Sequence, residues 1–420
     1  MAGTVALAQQ SARKVAKIEV EGLERLSADE VIATSGLKVG AVFSVKDIDV
    51  AAQRLMDSGL FAKVNYRTTG RGNQVTVIFQ VKEIGGGQSP VVFDNFVWFT
   101  DDELNAAIKR EVPSYAGTAS DAGRMTDDIK QALQNLLKEH QIEGTVEYAP
   151  ELAGLNSDKQ EHLYSVSGAH IPICSLHFPG ASNVPEVKLV MSSKQLVEQA
   201  YSKKTAIAFS TFILFPIYRQ AGQLKAKFGL PVTKLESSTN CKGIELSIPV
   251  QEGPIYLWNK SEWVGNDTVA ASDLADALGM HKGEVANGAK IDKGLVQVAQ
   301  TYGHTGHLEA RVNGEPEFDD ASNQVSYKMT VVEGPQFKMG TLTIKGLEET
   351  DANALSGRWK LRNGEVFDSS YSDRFFRIDA REVMERIMAA RAAQRKGEFE
   401  VHIKPNQLNL NADVTIEFKP

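Results

Sequence analysis

The sequence predicts an α+β fold built from five tandem β-α-α-β-β units of about 80 residues each, and three recurring signals carry that expectation. Alternating apolar runs end in a common tag. Val81-Lys82-Glu83, Val250-Gln251-Glu252-Gly253-Pro254 and Val332-Glu333-Gly334-Pro335 follow VTVIFQ, IELSIP and VSYKMTV. Glu252 and Glu333 lie 81 residues apart, and Glu83 precedes Glu252 by 169, close to two such steps. Gly168 in SVSGAH stands where the intervening tag would fall. The second signal is a glycine closing a short alternating strand, at Gly22, Gly180, Gly265 and Gly346. Glycine reaches positive φ without steric cost and so permits a tight exit. The third is a helix stop followed by an apolar strand opener. It occurs at Gly59 to Phe61, His140 to Ile142, Gly222 to Leu224, Gly306 to Leu308 and Gly397 to Phe399. Glycine at C′ is the usual stop, with His140 the departure.

The first unit sets the order. Lys17 to Glu21 alternates as a strand. Ser27 and Glu30 have capping-box spacing for a helix over Ala28 to Thr34. Ser44 caps a second helix whose Ile48, Ala51, Leu55 and Met56 share one face. Ala62 to Arg67 and Val75 to Val81 read as strands around a Gly70 to Asn73 turn. The fourth unit repeats this with Ser272 and Asn287 near its helix starts and strands at Leu308 to Val312 and Val325 to Val332. The fifth has Thr350, then Asp368 capping one long helix to about Lys396, and a last strand over Ala412 to Phe418. The segments joining the two helices look alike: AVFS at 41–44, AFS at 208–210, EVAN at 284–287 and EVFD at 365–368.

The chain has 420 residues, 42% hydrophobic and 24% charged, enough apolar material for several small cores. Forty-six Lys+Arg against 53 Asp+Glu give a net charge of −7, which argues against a nucleic-acid binder. The most apolar stretch, Thr205 to Tyr218, is shorter than the roughly 20 residues of a spanning helix and contains Pro216. Two cysteines are too few for a disulfide scaffold or a cysteine-based zinc site. Ala6-Leu7-Ala8-Gln9 looks like the end of a secretory signal, without the basic start and apolar core. Residues 1–13 are therefore expected outside the fold, as a signal remnant or a disordered tail.

No motif points to catalysis, a cofactor, a metal or a small-molecule substrate. His304-Thr305-Gly306-His307 sits at a helix stop, without the acidic residue of HExxH. Gly85-Gly86-Gly87 lacks a following Lys-Ser/Thr and reads as a linker. Asp101-Asp102 and Asp127-Asp128 suit helix starts and Asp319-Asp320 a turn. Arg374, Arg377, Arg381, Arg386, Arg391 and Arg395 are interspersed with acids and read as a solvated helix face, or as a contact for anionic lipid or an acidic partner. The Ala206 to Ile217 stretch is either the core face of a helix or a patch exposing some of Phe209, Phe212, Phe215 and Tyr218.

A β-α-α-β-β unit ending V-x-E-G-P and running straight into the next resembles the POTRA (polypeptide-transport-associated) domain, in a tandem array of the BamA type. The resemblance covers residues 14–420 and divides them at 14–88, 89–171, 172–253, 254–335 and 336–420. It implies a three-stranded sheet per unit, covered on one face by two helices, in an extended array. It also implies a periplasmic, non-enzymatic scaffold for outer-membrane protein assembly or export. The partners would be unfolded outer-membrane proteins, assembly-complex lipoproteins, or a β-barrel that belongs to the protein or lies beside it in the membrane. A cell-envelope adaptor of the FtsQ type and an envelope enzyme with accessory repeats are the alternatives. In the family a barrel follows the last unit, whereas this sequence stops at Pro420.

Two residue-level expectations come with the resemblance. First and last strands of a POTRA sheet are parallel neighbours, so Cys174 and Cys241 could approach within the roughly 4.4–6.8 Å Cα separation of a disulfide. Otherwise they are two free buried thiols. The second strand is the sheet edge, where clients would add by β-augmentation. The candidate segments are Ala62–Thr68, Thr145–Pro150, Leu224–Leu235, Leu308–Asn313 and Phe399–Ile403. The third, the longest, is favoured, through Leu224, Ala226, Phe228, Leu230 and Val232 beside the aromatic Phe209–Tyr218 stretch; the alternative is that Pro231, which removes one donor, is a protective break.

Overall fold

The computed structural model describes residues 13–71, 73–154, 157–237, 241–392 and 398–419. The expected tail, apart from Arg13, and the expected Gly397 and Arg395 lie outside the described residues. The chain packs as two compact units. One holds Met1–Pro179, Val190–Phe209 and Leu230–Pro249, and the other holds Gly180–Leu189, Ser210–Gly229 and Val250–Pro420.

The strands are β1 (Lys14–Glu21), β2 (Phe61–Arg71), β3 (Gln74–Glu83), β4 (Gln88–Phe93), β5 (Thr118–Ser120), β6 (Thr145–Leu152), β7 (Gln160–Ser167), β8 (Ile173–His177) and β9 (Lys227–Phe228). They continue as β10 (Val232–Ser237), β11 (Lys242–Ser247), β12 (Val250–Gln251), β13 (Leu257–Val264), β14 (Arg311–Asp319), β15 (Gln324–Val332), β16 (Lys338–Lys345), β17 (Phe399–Asn406) and β18 (Asn411–Phe418). One topology recurs five times. The last strand lies in the middle of its sheet, parallel to the first and antiparallel to the one before it. The orders are β1-β3-β2, β5-β4-β7-β6, β10-β11-β8, β13-β15-β14 and β16-β18-β17. Helices come between the first and second strands of each copy, where an amphipathic pair can cover one sheet face. In the first copy these are Ala28–Ser35, with the Ser27–Glu30 capping box, and Val45–Asp57, with its box at Ser44 and Asp47. Ile48, Ala51 and Leu55 are buried there, while Met56 is exposed at the rim.

The recurring tag and glycine meet in space. A Cβ on Gly22, Gly180, Gly265 or Gly346 would lie 2.1, 2.1, 2.4 or 2.1 Å from the carbonyl oxygen of Val81, Val250, Val331 or Phe418. All four glycines also have positive φ, between +75° and +93°. Gly22→Ala is expected to destabilise the first copy by about 2 kcal/mol or more, from backbone strain plus the clash. Urea unfolding of the variant checks this, and an unchanged midpoint would contradict it.

Two residues beyond that carbonyl, the tag glutamate reaches back to the loop after the glycine. Glu83 accepts from the N–H groups of Glu24, Arg25 and Leu26 at 2.9–3.1 Å. Glu252 accepts from Ser182, Asn183 and Val184 N–H at 2.8–3.1 Å and from the Ser182 hydroxyl at 2.8 Å. Glu333 accepts from Thr268 N–H at 2.8 Å and Thr268 Oγ1 at 2.5 Å. The tag is thus a carboxylate staple, buried at Glu83 and Glu252 and half-buried at Glu333, for the loop that enters the first helix. Burial alone would raise the Glu252 pKa. The bonds from Asn183, Ser182 and Val184 outweigh it and take the carboxyl from 4.5 to about 2. A lowered folded-state pKa means the staple is at full strength above the unfolded-state value and is lost as pH falls toward the folded one. Stability of this region should therefore fall between pH about 4.5 and about 2, and Glu252→Gln should flatten that slope in an acid titration.

The second copy departs from the pattern. Asn95 stands in place of the glycine, and its amide bonds both ways to Val166, donating at 2.9 Å and accepting at 2.7 Å. Gly168, at φ +81°, occupies the tag position without a carboxylate. This sheet also has four strands rather than the expected three. In the other copies the segment joining the helices makes a single bridge to the first strand: Lys14↔Val42, Pro172↔Ala200, Leu257↔Val285 and Lys338↔Val366. In the second it lengthens into β5, helped by Ser89 Oγ donating to Asp121 at 2.8 Å and Asp121 N–H donating to Gly87 O at 2.8 Å.

Two further expectations need correcting. The third copy's joining segment is Gln199 to Tyr201, bridged at Ala200, not 208–210. Residues 208–210 lie inside the second helix, which starts at Lys203 behind a Ser202 cap. That helix widens to a π-turn over Ser210–Leu214 before continuing as Phe215–Gln220, because Pro216 offers no N–H to the preceding turn. The last copy's expected single long helix is broken into Tyr371–Arg374, a π-turn at Phe375–Asp379 and Arg381–Ala392. Asp379 there pairs with Lys360 and accepts from the Tyr371 hydroxyl at 3.2 Å.

Arg374, Arg377, Arg381, Arg386 and Arg391 each bond within this copy, to Asp368, Asp373 O, Glu385, Asp351 and Gly346 O respectively. They are intramolecular ties along the helix face. His304 caps the Gly288–Gly303 helix, and His307 Nδ1 lies 3.1 Å from Gly334 O.

Candidate functional site

The candidate site is the set of second-strand sheet edges; the first strands β1, β8, β13 and β16 are outer strands too, each met by a single bridge from the segment that joins the helices. With the last strand central, β2, β6, β10, β14 and β17 each carry one unpaired side. Every second residue of such an edge turns its N–H and C=O outward. In the third copy Ile244 N–H donates to Pro172 O at 3.0 Å and Ile248 N–H to His177 O at 2.9 Å, so the even residues of β11 bond toward β8. Leu235 and Thr233, opposite Ile244 and Leu246, therefore turn their backbone groups to solvent.

The same reasoning assigns a phase to each edge. Lys14 N–H to Asn73 O leaves Val64, Tyr66, Thr68 and Gly70 of β2 facing outward. Bonds from Asp94 N–H to Tyr164 O, Leu257 N–H to Asn323 O and Lys338 N–H to Leu410 O put Pro150, Pro316 and Pro405 in the outward phase of β6, β14 and β17. A proline there loses no internal bond and removes a donor that an incoming strand would need. Pro150 and Pro316 thus interrupt their edges within the strand, while Pro405 blocks only the last turn-side end of β17 and Pro231, in the same outward phase as Thr233, only the entry to β10. Of the two edges with no proline inside the strand, β2 is the longer and presents Lys63, Arg67 and Arg71 on its exposed face, a guard of charge. The edge of β10 exposes Val232 and Leu235 by 57% and 54%, next to Leu230 at 67%, and carries Lys234 and Glu236 among them.

The favoured segment Leu224–Leu235 is not one strand. Only Lys227–Phe228 and Val232–Ser237 are extended in ladders, because Gly229 and Pro231 interrupt the chain. Ala226 is buried, and Leu224 packs on the fourth copy's core. Phe228 stacks edge-on against Tyr218, ring centroids 5.7 Å apart. Phe209 and Tyr218 are buried, Phe215 is half-buried and Phe212 is exposed. The structure leaves Leu230, Val232 and Phe212 on the surface and puts the rest in or against the core.

Beside the start of β10 lies a groove of about 380 Å³ whose other wall is the segment Phe93–Glu103. Phe96, Trp98, Phe99 and Tyr201 line it with Leu230 and Val232. Sequence reasoning did not single these aromatics out, although the run VFDNFVWF at 92–99 carries a visible signal. The walls are tied together. Asp94 accepts from the Ser202 hydroxyl at 3.1 Å and from Lys204 N–H at 2.9 Å, and Lys203 pairs with Asp101 at 3.0 Å.

Cys174, in β8, and Cys241, immediately before β11, form a disulfide with Cα atoms 5.9 Å apart. It closes the β8–β11 side of the same sheet, opposite the open β10 edge.

Residues 13–84 and 256–334 match the family model for POTRA, described as a surface antigen variable number repeat. These two segments are POTRA domains. The remaining copies share the same mixed α+β topology as these POTRA segments. Over 211 residues the chain is 24% identical to a Treponema pallidum (strain Nichols) protein named as a candidate outer membrane protein assembly factor. That match covers 48% of this chain and 25% of the relative. Among solved structures it is similar to POTRA3-5 of Haemophilus influenzae BamA, at 19% identity and TM-score 0.42, covering 60% of this chain and 98% of that one. It is also similar to POTRA1-3 of Omp85 from Anabaena, at 13% identity and TM-score 0.27, covering 59% and 95%.

Proposed function

We propose that this chain is a non-enzymatic periplasmic scaffold in outer-membrane protein assembly or export, binding extended polypeptide segments by strand addition. The observation that carries the reading is the β10 edge, with no proline inside the strand, Val232 and Leu235 exposed, and the backbone groups of Thr233 and Leu235 turned to solvent. Main-chain pairing gives affinity that tolerates many sequences, which suits a factor handling many clients. The POTRA segments and the named relative support the assembly role. The disulfide supports an oxidising compartment such as the periplasm. Among the described residues no helix is long and apolar enough to cross a membrane. The partners in this reading are unfolded outer-membrane proteins or assembly lipoproteins, with a membrane β-barrel as a further partner or domain. Its working units are 14–88, 89–171, 172–253, 254–335 and 336–420.

Titrating the full chain with a peptide from an unfolded β-barrel protein, followed by fluorescence anisotropy, tests the reading. Saturable binding that is lost when alternate peptide nitrogens are N-methylated is the expected result. Equal binding of the methylated peptide would contradict strand addition.

A further inference from the structure

We propose that the groove between Phe96–Thr100 and the start of β10 is a side-chain pocket for an aromatic residue within a strand paired to β10. This rests on the strand-addition reading above and adds to it a chemical preference.

The pocket opens where the free edge begins. Thr233, whose backbone faces outward, lines the groove together with Pro231 and Val232. A strand pairing with Thr233 and Leu235 therefore has to carry its next residues across the mouth of the groove. The occupant is committed to extended backbone by the unpaired groups beside it. The walls choose the side chain. Half-buried Trp98 and Phe99, with the buried Phe96 and Tyr201 behind them, line the groove together with the exposed Leu230 and Val232, a surface that offers aromatic and apolar area. At about 380 Å³ the groove lies at the lower end of the roughly 300–1,000 Å³ of small-ligand clefts, so it suits one or two side chains and not a folded partner.

Charge narrows the choice further. Asp94, Asp101 and Glu103 line the groove against the single cation Lys203. Lys203 is already paired with Asp101, and Glu103 is held by Thr100 N–H at 2.8 Å. The wall is left net negative. A neutral or basic neighbour to the aromatic residue is accepted, and a chain-terminal carboxylate or flanking glutamate is disfavoured. The loop is also preorganised by the Asp94 and Lys203 ties, so little ordering is needed on binding.

The test uses the full chain and synthetic single-strand peptides of alternating threonine and valine. They carry one central phenylalanine, the same position as alanine, or phenylalanine flanked by glutamate. Each is also made with alternate nitrogens methylated. The phenylalanine peptide should bind about tenfold tighter than the alanine peptide, the scale of one aromatic anchor. The glutamate-flanked peptide should lose most of that gain. Trp98→Ala should bring the phenylalanine peptide down to the alanine peptide's affinity and leave the alanine peptide unchanged. Leu230→Ser, at a surface position that cannot unfold the core, should halve the preference or more. If the phenylalanine preference is absent, or survives both substitutions while methylation still abolishes binding, the pocket is wrong and strand addition stands. If methylation has no effect or no peptide binds, strand addition fails and the pocket falls with it.

Discussion

Replacing Cys174 and Cys241 by alanine should lower the stability of the β8–β11 region by about 4 kcal/mol. The bridge joins residues 67 apart, and chain-entropy cost for a loop of that length sets this scale. The effect should be local. β8, an outer strand, pairs in parallel with the central β11, and Ile173, Ile244 and Leu246 from them are buried. Amide exchange of Ile244 and Leu246 should accelerate in the variant, and exchange in β15 should not. Adding reductant to the unmodified chain should reproduce the change. A loss below about 1 kcal/mol would mean that the sheet is held by its core and ladder alone.

Glu252→Ala should be nearly as damaging, costing about 3 kcal/mol. The substitution leaves three backbone N–H groups of the 182–184 loop without their acceptor, each worth about 1 kcal/mol when it cannot be replaced. Val184 is itself buried, so water is a poor substitute there. Glu252→Gln keeps one acceptor oxygen and should cost clearly less. Equilibrium unfolding of the two variants separates the losses. Equal small effects would show the staple to be incidental to the fold.

The staple explains why the repeat was legible. A carboxylate two residues past a backbone carbonyl, and a glycine where a Cβ would strike that carbonyl, are fixed by backbone geometry and so recur at a fixed period. The extra strand β5 was not legible, since three residues of Thr-Ala-Ser differ little from a single bridge. Neither was the break in Leu224–Leu235. Pro231 was visible, but its effect depended on register with β11. The letters AFS at 208–210 imitate AVFS at 41–44, yet the Ser202 cap starts the helix earlier and places them inside it. The blocking prolines also stand in plain sight. Their outward phase follows only from which residues of β7, β15 and β18 bond to the first strand. The aromatic groove joins residues more than 100 positions apart, and no local pattern brings Trp98 to Leu230.

Strand addition means that an extended chain pairs with an open edge. Backbone amide exchange of the full chain, with and without saturating unfolded β-barrel peptide, tests it residue by residue. In the free protein the outward-facing amides of Thr233 and Leu235 should exchange fast, as should those of Val64, Tyr66 and Thr68. Peptide should slow Thr233 and Leu235 by an order of magnitude or more, with no change at the proline-blocked edges of β6, β14 and β17. Peptide that binds while Thr233 and Leu235 keep their free exchange rates would contradict the assignment to β10, and slowing at none of the five edges would contradict strand addition altogether.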